Sequence, residues 1–433
     1  MSSSNFRDFV PPPDHPRIAG LSTTTPEEYS AATLARPVVA EIVAGWKANL
    51  EEPFYGVTSD GRRREGLFHL VDQDEGVDEG EGAPVAEMVP CAERIINLLT
   101  PDELKQLLHP VDSDEWRKWS NPEFLIYRTG IRLEDLAQEK VTAILALLRA
   151  STSEAGYARL LGAMKTNRFL GELCHASSIM NERSYQFTLY GTPSRTEPWG
   201  YSLFGHHLCL NIFVLGSQMV VTPMFLGAEP NIIDTGPDTN TTILDAAHAA
   251  ADLPPKIMRS LPRNLQEQAR VYAKLHDDKM PPGRWNPADQ RHLAGAFQDN
   301  RIIPYEGIRV SAMPPEQQAQ LRAVVSGYFE FLPAGPYAAR MCEVERFWEG
   351  ETWFCWIGEI RQEERGNGDS DGDGVFYYRI QSPVVLIEFD HHSGVFLLNK
   401  EPARYHVHTV VRTPNGGDYG RGLLRRWREK NRE

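Results

Sequence analysis

The chain has 433 residues and a formal net charge of −14, and 41% of its residues are apolar. This apolar content is enough for a core and excludes global disorder, while the negative charge disfavours nucleic acid as a partner because phosphate backbones would be repelled. The sequence has no apolar run of the roughly eighteen residues that span a membrane and no apolar N-terminal leader, and its five scattered cysteines predict reduced thiols in a cytoplasmic protein.

The N-terminal residues have a composition that does not favour packing into a hydrophobic core. Residues 1–25 are rich in Pro, Ser and Thr and predict an extended N-terminal arm. Residues 26–433 are predicted to form a single α+β domain. A capping threonine followed by proline and two acids predicts a helix start at Thr25 and again at Thr100. Pro37 should kink or split the first of these helices. The acidic, Gly-rich residues 72–82 predict a solvated loop.

Two strand-rich blocks are separated by a segment with helical patterning. Residues 185–225 and 351–412 alternate as strands do, whereas 91–180 and 241–332 show helical spacing. Neither strand block is long enough to form a sheet domain alone. We therefore expect the two blocks to pair across a helical insertion at 241–332. This predicts an α+β fold with a mainly antiparallel sheet, packed with N-terminal and central helices.

The second strand block carries a pair of histidines with one residue between them. His406 and His408 lie among β-branched, aromatic and apolar residues, so they are predicted to share one face of a strand. Their backbone positions would then be roughly 6 to 7 Å apart, given the rise of ~3.3 Å per residue. Two imidazoles at this separation could bind one metal ion, although histidines on a strand can also simply form hydrogen bonds within a sheet.

A catalytic transition-metal site usually needs three protein ligands and one open position. The third ligand could be His206 or His207 in the first strand block. If the strand is regular, His207 shares the more polar face with Cys209 and Asn211, which favours His207 and makes Asn211 a candidate substrate contact. A bulge at Gly205 would reverse this choice.

Other polar residues could complete the site. Glu388 interrupts an apolar strand, and a buried carboxylate needs a cation or hydrogen-bond donors, so it is a candidate fourth ligand or general base. Arg412 could orient a substrate carboxylate with two hydrogen bonds. The Gly-rich stretch after it makes Asp418 and Tyr419 candidate substrate contacts, but the same stretch could be a turn held by an Arg–Asp ion pair.

Two competing motifs are weaker. Asp369, Asp371 and Asp373 match the first half of a calcium loop, but position twelve is Ile380 where a bidentate Glu is required. Cys209 near histidines could be a nucleophile, but a buried strand cysteine is the simpler interpretation.

An ordered set of motifs resembles the bacterial and fungal domain-of-unknown-function family 3500 over roughly residues 90 to 430. The resemblance rests on Gly-Thr-Pro-Ser at 191–194, Gly-His-His-Leu at 205–208, Ile-Glu-Phe at 387–389, His-Val-His at 406–408 and Asp-Tyr-Gly at 418–420. It implies membership of a family without an assigned activity. Some fungal members lie beside tyrosine-catabolism enzymes, which implies an accessory role near 4-hydroxyphenylpyruvate and homogentisate.

Two functional hypotheses follow. The first is an enzyme that uses a divalent transition metal (Zn, Fe or Cu) to act on a small carboxylated molecule of aromatic amino-acid (tyrosine) catabolism. The second is a non-catalytic accessory or binding protein that supports an enzyme partner of aromatic degradation and needs no metal.

Overall fold

We describe a computed structural model of the chain. It describes residues 5–71, 80–243, 248–360 and 374–431. Most of the predicted acidic loop 72–82, and the aspartates of the calcium-like motif at 369–373, lie outside the described residues.

Eleven α-helices occur in the described ranges, and both predicted capping boxes are present. The hydroxyls of Thr25 and Thr100 accept hydrogen bonds from the backbone N–H groups of Glu28 and Glu103. The helices are α1 (Pro26–Leu34), α2 (Pro37–Glu51), α3 (Val85–Leu98), α4 (Pro101–Leu107), α5 (Gln138–Ala150), α6 (Glu154–Leu173), α7 (His248–Ser260), α8 (Arg263–Ala269), α9 (Pro315–Phe329), α10 (Ala334–Glu351) and α11 (Arg421–Lys430). Pro37 is the first residue of α2, so the predicted N-terminal helix is split in two.

Thirteen strands in the described parts of the chain form one mostly antiparallel sheet. They are β1 (Leu108–His109), β2 (Ile131–Arg132), β3 (Tyr185–Tyr190), β4 (Trp199–Gly205), β5 (Leu208–Leu215), β6 (Gln218–Val220), β7 (Met224–Ala228), β8 (Arg270–Tyr272), β9 (Ile308–Arg309), β10 (Trp353–Ile357), β11 (Tyr377–Gln381), β12 (Leu386–His391) and β13 (Val407–Arg412). Their order is β1-β3-β4-β5-β7-β13-β12-β11-β10-β8, with β2, β6 and β9 on β3, β5 and β10.

The two strand blocks join where β7 pairs with β13. The pairing is antiparallel and places Gly227 opposite His408 and Phe225 opposite Val410. The predicted α+β class and the pairing of the two blocks are therefore confirmed. This junction brings the two histidine motifs, which are about two hundred residues apart in sequence, into the same part of the sheet.

The sheet is buried on both faces. One face packs against α3, α5, α6, α7 and α9 through alternate residues such as Leu210, Leu226 and Val411. The opposite face carries Cys209, Phe225 and Val410 and is covered by α2, α11 and irregular segments. Since alternate residues of a strand share a face, His408, Asp390 and Glu388 lie on this second face.

The predicted helical insertion at 241–332 is helical only towards its two ends. Between β8 and β9, residues 273–307 follow an irregular path that contains neither α-helix nor strand. This stretch contains Pro281, Pro282 and Pro287, which disfavour a continuous helix. The irregular segment 273–307 lies over the second face of the sheet and contributes buried polar groups to it.

The described part of the predicted N-terminal arm packs on the domain. Phe6 is buried and its ring contacts those of Phe169 and Tyr405 at centroid distances of 6.2 and 6.3 Å. Arg7 forms an ion pair with Asp234. The division between arm and domain remains a prediction. Among the described residues, no helix is both long and apolar enough to cross a membrane.

Candidate metal centre

Three imidazoles meet at the junction of the two strand blocks. The Nε2 atom of His408 lies 3.1 Å from Nε2 of His207 and 3.1 Å from Nε2 of His406. All three side chains are buried. The structure thus brings together His406, His408 and one of the two candidates from the earlier motif. The prediction that His406 and His408 share a strand is wrong for His406, which lies one residue before β13.

The loop between β12 and β13 orients His406. Its Nδ1–H donates a hydrogen bond of 2.8 Å to the carbonyl oxygen of Ser393. A neutral imidazole with hydrogen on Nδ1 has its lone pair on Nε2, which is the atom directed at His408. Hydrogen bonds of this kind are typical of metal-binding histidines.

His207 reaches the cluster from a turn and not from a strand. Strand β4 ends at Gly205 and β5 begins at Leu208, so His206 and His207 are the two residues of a hairpin turn. The predicted regular strand from His206 to Leu215 is therefore wrong at its start. His207 has a φ of +60°, an uncommon conformation for a residue with a side chain, which here points its ring at His408.

His206 does not join the three-nitrogen group. Its Nδ1 lies 2.9 Å from Oδ1 of Asn167 in helix α6, and its ring stacks on that of His207 at 3.8 Å. His206 therefore packs against the ring of His207, and its predicted role as a metal ligand stays untested.

The spacing of the Nε2 atoms fits a metal ion better than a set of hydrogen bonds. Two nitrogens that bind one tetrahedral ion at about 2.0 to 2.1 Å lie roughly 3.3 Å apart. A neutral ring nitrogen carries either a hydrogen or a lone pair. Since His406 Nε2 has the lone pair, His408 Nε2 must carry a hydrogen to bond with it. His408 Nε2 then has no lone pair to accept a hydrogen bond from His207, so one hydrogen would have to serve both contacts.

Burial keeps these imidazoles in the form that binds metals. Desolvation lowers the pKa of His406 and puts the pKa values of His207 and His408 well below the usual 6.5. Burial also lowers the pKa of His206 to about 3. The rings are therefore neutral near pH 7 and keep a lone pair for a cation.

A second polar group adjoins the first and was missed from the sequence. Ligand atoms of His292, Asp390 and His392 lie within 4.8 Å of one another, as do those of Asp289, His392 and His408. Burial raises the pKa of Asp289 to about 6. The sequence signals were Asp289-x-x-His292 and Asp390-x-His392, but the former lies in an irregular segment whose position no periodicity predicts.

Glu388 lies on the same face but is held by other groups. Its carboxylate accepts hydrogen bonds from the backbone N–H groups of Leu293 and Ala294 and a 2.6 Å bond from the Tyr377 hydroxyl. One oxygen is 3.9 Å from Nδ1 of His292. These bonds attach the irregular segment 273–307 to the sheet. The predicted role of Glu388 as ligand or base is untested.

Arg412 is four residues beyond His408 on β13 and is surrounded by protein partners. Its guanidinium donates to the carbonyl oxygens of Ala294 and Gly295 and forms ion pairs with Asp299 and Asp418. Arg412 is fully buried. This favours the alternative of a turn stabilised by an ion pair, and the predicted substrate-orienting role stays a prediction.

The predicted substrate contacts also lie in buried networks. The Tyr419 hydroxyl donates to Asp299 and accepts from the indole N–H of Trp119. Asp418 accepts a 2.7 Å bond from the backbone N–H of Thr413. Asn211 donates to the carbonyl oxygen of Pro223. The structure therefore gives Asn211, Asp418 and Tyr419 internal partners.

A groove of about 470 Å³ lies beside the cluster. Among its lining residues, Arg291 donates a 2.7 Å hydrogen bond to Asp390, and Ser393 carries the carbonyl that holds His406. Exposed Lys274 and Lys400 also line the groove. The volume is in the range of small-molecule sites.

The fold and this cluster define an α+β protein with a buried histidine and carboxylate site. The chain belongs to the family of proteins of unknown function DUF3500, whose model matches residues 81–421, the main body of the chain. The resemblance seen in the sequence is thus confirmed. No curated protein and no solved structure matches the chain.

Proposed function

We propose that this protein is a metal-dependent enzyme whose divalent transition-metal ion (Zn, Fe or Cu) is held by Nε2 of His207, His406 and His408. The observation that carries the proposal is the convergence of three buried imidazole nitrogens, with His408 Nε2 3.1 Å from each of the other two and all three within 4.8 Å of one another. Three imidazole ligands leave a coordination position open for substrate or water, as catalytic sites require.

The chain's own residues prepare this site before any ion is bound. Ser393 fixes the orientation of the His406 ring, and Gly227 leaves room for His207 and His408. An ion bound there would supply a Lewis acid and would lower the pKa of a bound water molecule.

We propose that the substrate is a small carboxylated organic molecule that binds in the groove beside the cluster. Lys274 and Lys400 each offer an ammonium group to a carboxylate in a groove that Glu359 and Glu401 also line. Trp285 and His276 stack at 4.4 Å along the groove and offer a flat aromatic surface. This surface supports an aromatic acid as the substrate, in keeping with the expected place in tyrosine catabolism.

The test is the metal content of the purified full-length chain and of the double variant His406→Ala plus His408→Ala. We expect bound transition metal in the natural protein and a lower metal content in the double variant, because two of the three proposed ligands are removed. Elemental analysis after dialysis measures both. Exposed His69→Ala serves as the matched control and should keep its metal.

Two results would count against the proposal. One is a natural protein that contains only trace metal after growth with Zn, Fe or Cu. The other is metal content that the double variant does not change while circular dichroism shows it to be folded. Either result would favour the non-catalytic accessory role.

A further inference from the structure

We infer that the chain binds a second metal ion next to the first, on His292, Asp390 and His392, with Asp289 between the two positions. The inference rests on the proposed function, because it makes the centre one of two ions. Two adjacent ions can bind and polarise one substrate together, which is a common arrangement in hydrolytic metalloenzymes.

The first observation is a set of buried polar atoms without hydrogen-bond partners. Both ring nitrogens of His292, Nε2 of His392 and Oδ2 of Asp390 have none. His292 is 1% exposed and Asp390 is fully buried. A buried polar atom that lacks a partner costs about 1–3 kcal/mol, so several at one place need an explanation. A cation would provide a partner for one atom of each residue.

The second observation is that the side-chain atoms without hydrogen-bond partners lie close to one another. Arg291 donates a 2.7 Å hydrogen bond to Oδ1 of Asp390, which fixes that carboxylate and leaves Oδ2 free. Oδ2 lies 3.1 Å from Nε2 of His392. Ligand atoms of His292, Asp390 and His392 all lie within 4.8 Å of one another, a separation that a single ion can bridge with small side-chain movements.

The third observation is the local charge. Asp289 and Glu388 add two further carboxylates to Asp390 at this place. Among the described residues, Asp289 and Glu388 have ion-pair contacts with histidines alone, at 3.5 Å from His408 and 3.9 Å from His292. Arg291 pairs with Asp390, and Arg301 and Arg379 interact electrostatically with Glu388. Asp289 is left without a cationic partner among the described residues. Its negative charge beside neutral imidazoles favours a divalent cation, and mixed nitrogen and oxygen ligands suit Zn, Mn or Fe.

The two positions are neighbours. The ring centroids of His392 and His408 lie 3.8 Å apart with their planes inclined by 33°, and Oδ1 of Asp289 lies 3.5 Å from Nδ1 of His408. That Asp289 oxygen and that His408 nitrogen also lack hydrogen-bond partners. Asp289 therefore lies close to His392 of the second position and faces Nδ1 of His408, the ring nitrogen that does not bind the first ion. It would link the second ion to a ligand of the first and join the two positions into one centre.

The experiment is a titration of metal-free full-length protein with Zn²⁺, followed by calorimetry and by elemental analysis after gel filtration. We expect two ions per chain in the natural protein, one in His292→Gln and one in His406→Gln. The double variant His292→Gln plus His406→Gln should bind no ion. His292 has no side-chain hydrogen bond to lose, so His292→Gln should fold normally. His392→Gln is the second variant, and His69→Gln is the control that keeps both ions.

The outcomes separate the two proposals. One ion in the natural protein that persists in His292→Gln and is lost in His406→Gln would overturn the second position and leave the first. One ion with the opposite dependence would support the second position and overturn the first. No binding by the natural protein would overturn both.

Discussion

Gly227 makes room for the histidine cluster at the level of a single residue. A Cβ atom at this position would lie 2.9 Å from Cδ2 of His207 and 3.0 Å from Cδ2 of His408. Gly227 also donates a 2.8 Å hydrogen bond to the carbonyl oxygen of His207. The absence of a side chain on β7 therefore allows the turn between β4 and β5 to approach β13.

The substitution Gly227→Ala should displace both imidazoles and weaken metal binding, with a loss of stability of about 1–3 kcal/mol from overpacking. Competition with a chelator measures the affinity for Zn²⁺, and chemical denaturation measures the free energy of unfolding. Gly350→Ala is the control, since nothing lies within 4 Å of its new Cβ. Unchanged Zn²⁺ affinity in a folded Gly227→Ala protein would show that the imidazoles are not held by this contact.

The irregular segment 273–307 is the element that closes the site. It is held to the sheet by backbone groups and by one buried charge network. Glu388 accepts from the N–H groups of Leu293 and Ala294, and Arg412 donates to the carbonyl oxygens of Ala294 and Gly295. Because the segment lacks a regular hydrogen-bond ladder, these strand side chains satisfy its backbone.

Arg412→Met should destabilise the protein by about 3–5 kcal/mol, because it leaves Asp418 buried without its cation and Asp299 with Arg117 alone. Urea denaturation followed by circular dichroism gives the difference in unfolding free energy. Arg426→Met removes an exposed pair with Glu429 and should change that free energy by no more than ~1 kcal/mol. Equal effects of the two substitutions would contradict a structural role for Arg412.

At the scale of the whole molecule, the sheet gathers an unusual number of buried neutral imidazoles. Burial lowers the pKa values of His206 and His391 from 6.5 to about 3, and those of His207, His392 and His408 well below 6.5. In the unfolded chain these rings return to their ordinary pKa of 6.5. Between these limits the unfolded chain binds more protons than the folded one.

Metal-free protein should therefore lose stability as the pH falls from 6.5 towards 3, and its stability should not depend on these rings above pH 7. Each ring contributes on the order of 1 kcal/mol per pH unit within that window. Denaturation at pH 7, 6 and 5 measures the slope. His391→Gln should have a shallower slope than the natural protein, whereas exposed His69→Gln should match it. Parallel slopes for His391→Gln and the natural protein would show that the buried His391 ring does not contribute to the pH dependence of stability.

The α+β class, the pairing of the two strand blocks and the proximity of the His406 and His408 imidazoles followed from the sequence. Period-two patterning fixes which residues share a strand face, and this holds regardless of what the strand later contacts. Capping signals at Thr25 and Thr100 are also local, and both were confirmed.

Tertiary structure alone decided how the site is completed. The sequence favoured His207 over His206, but it placed His207 on a regular strand. His207 points at His408 because a two-residue turn gives it a φ of +60°, which strand periodicity does not predict. Asp289 and His292 lie on an irregular segment whose path depends on contacts with Glu388 and Arg412. The contact with Glu388 joins residues about ninety-five positions apart, and the contact with Arg412 joins residues more than a hundred positions apart. Local patterns fix a residue's element and face, whereas the meeting of distant side chains depends on long-range packing that one sequence does not encode in any single stretch.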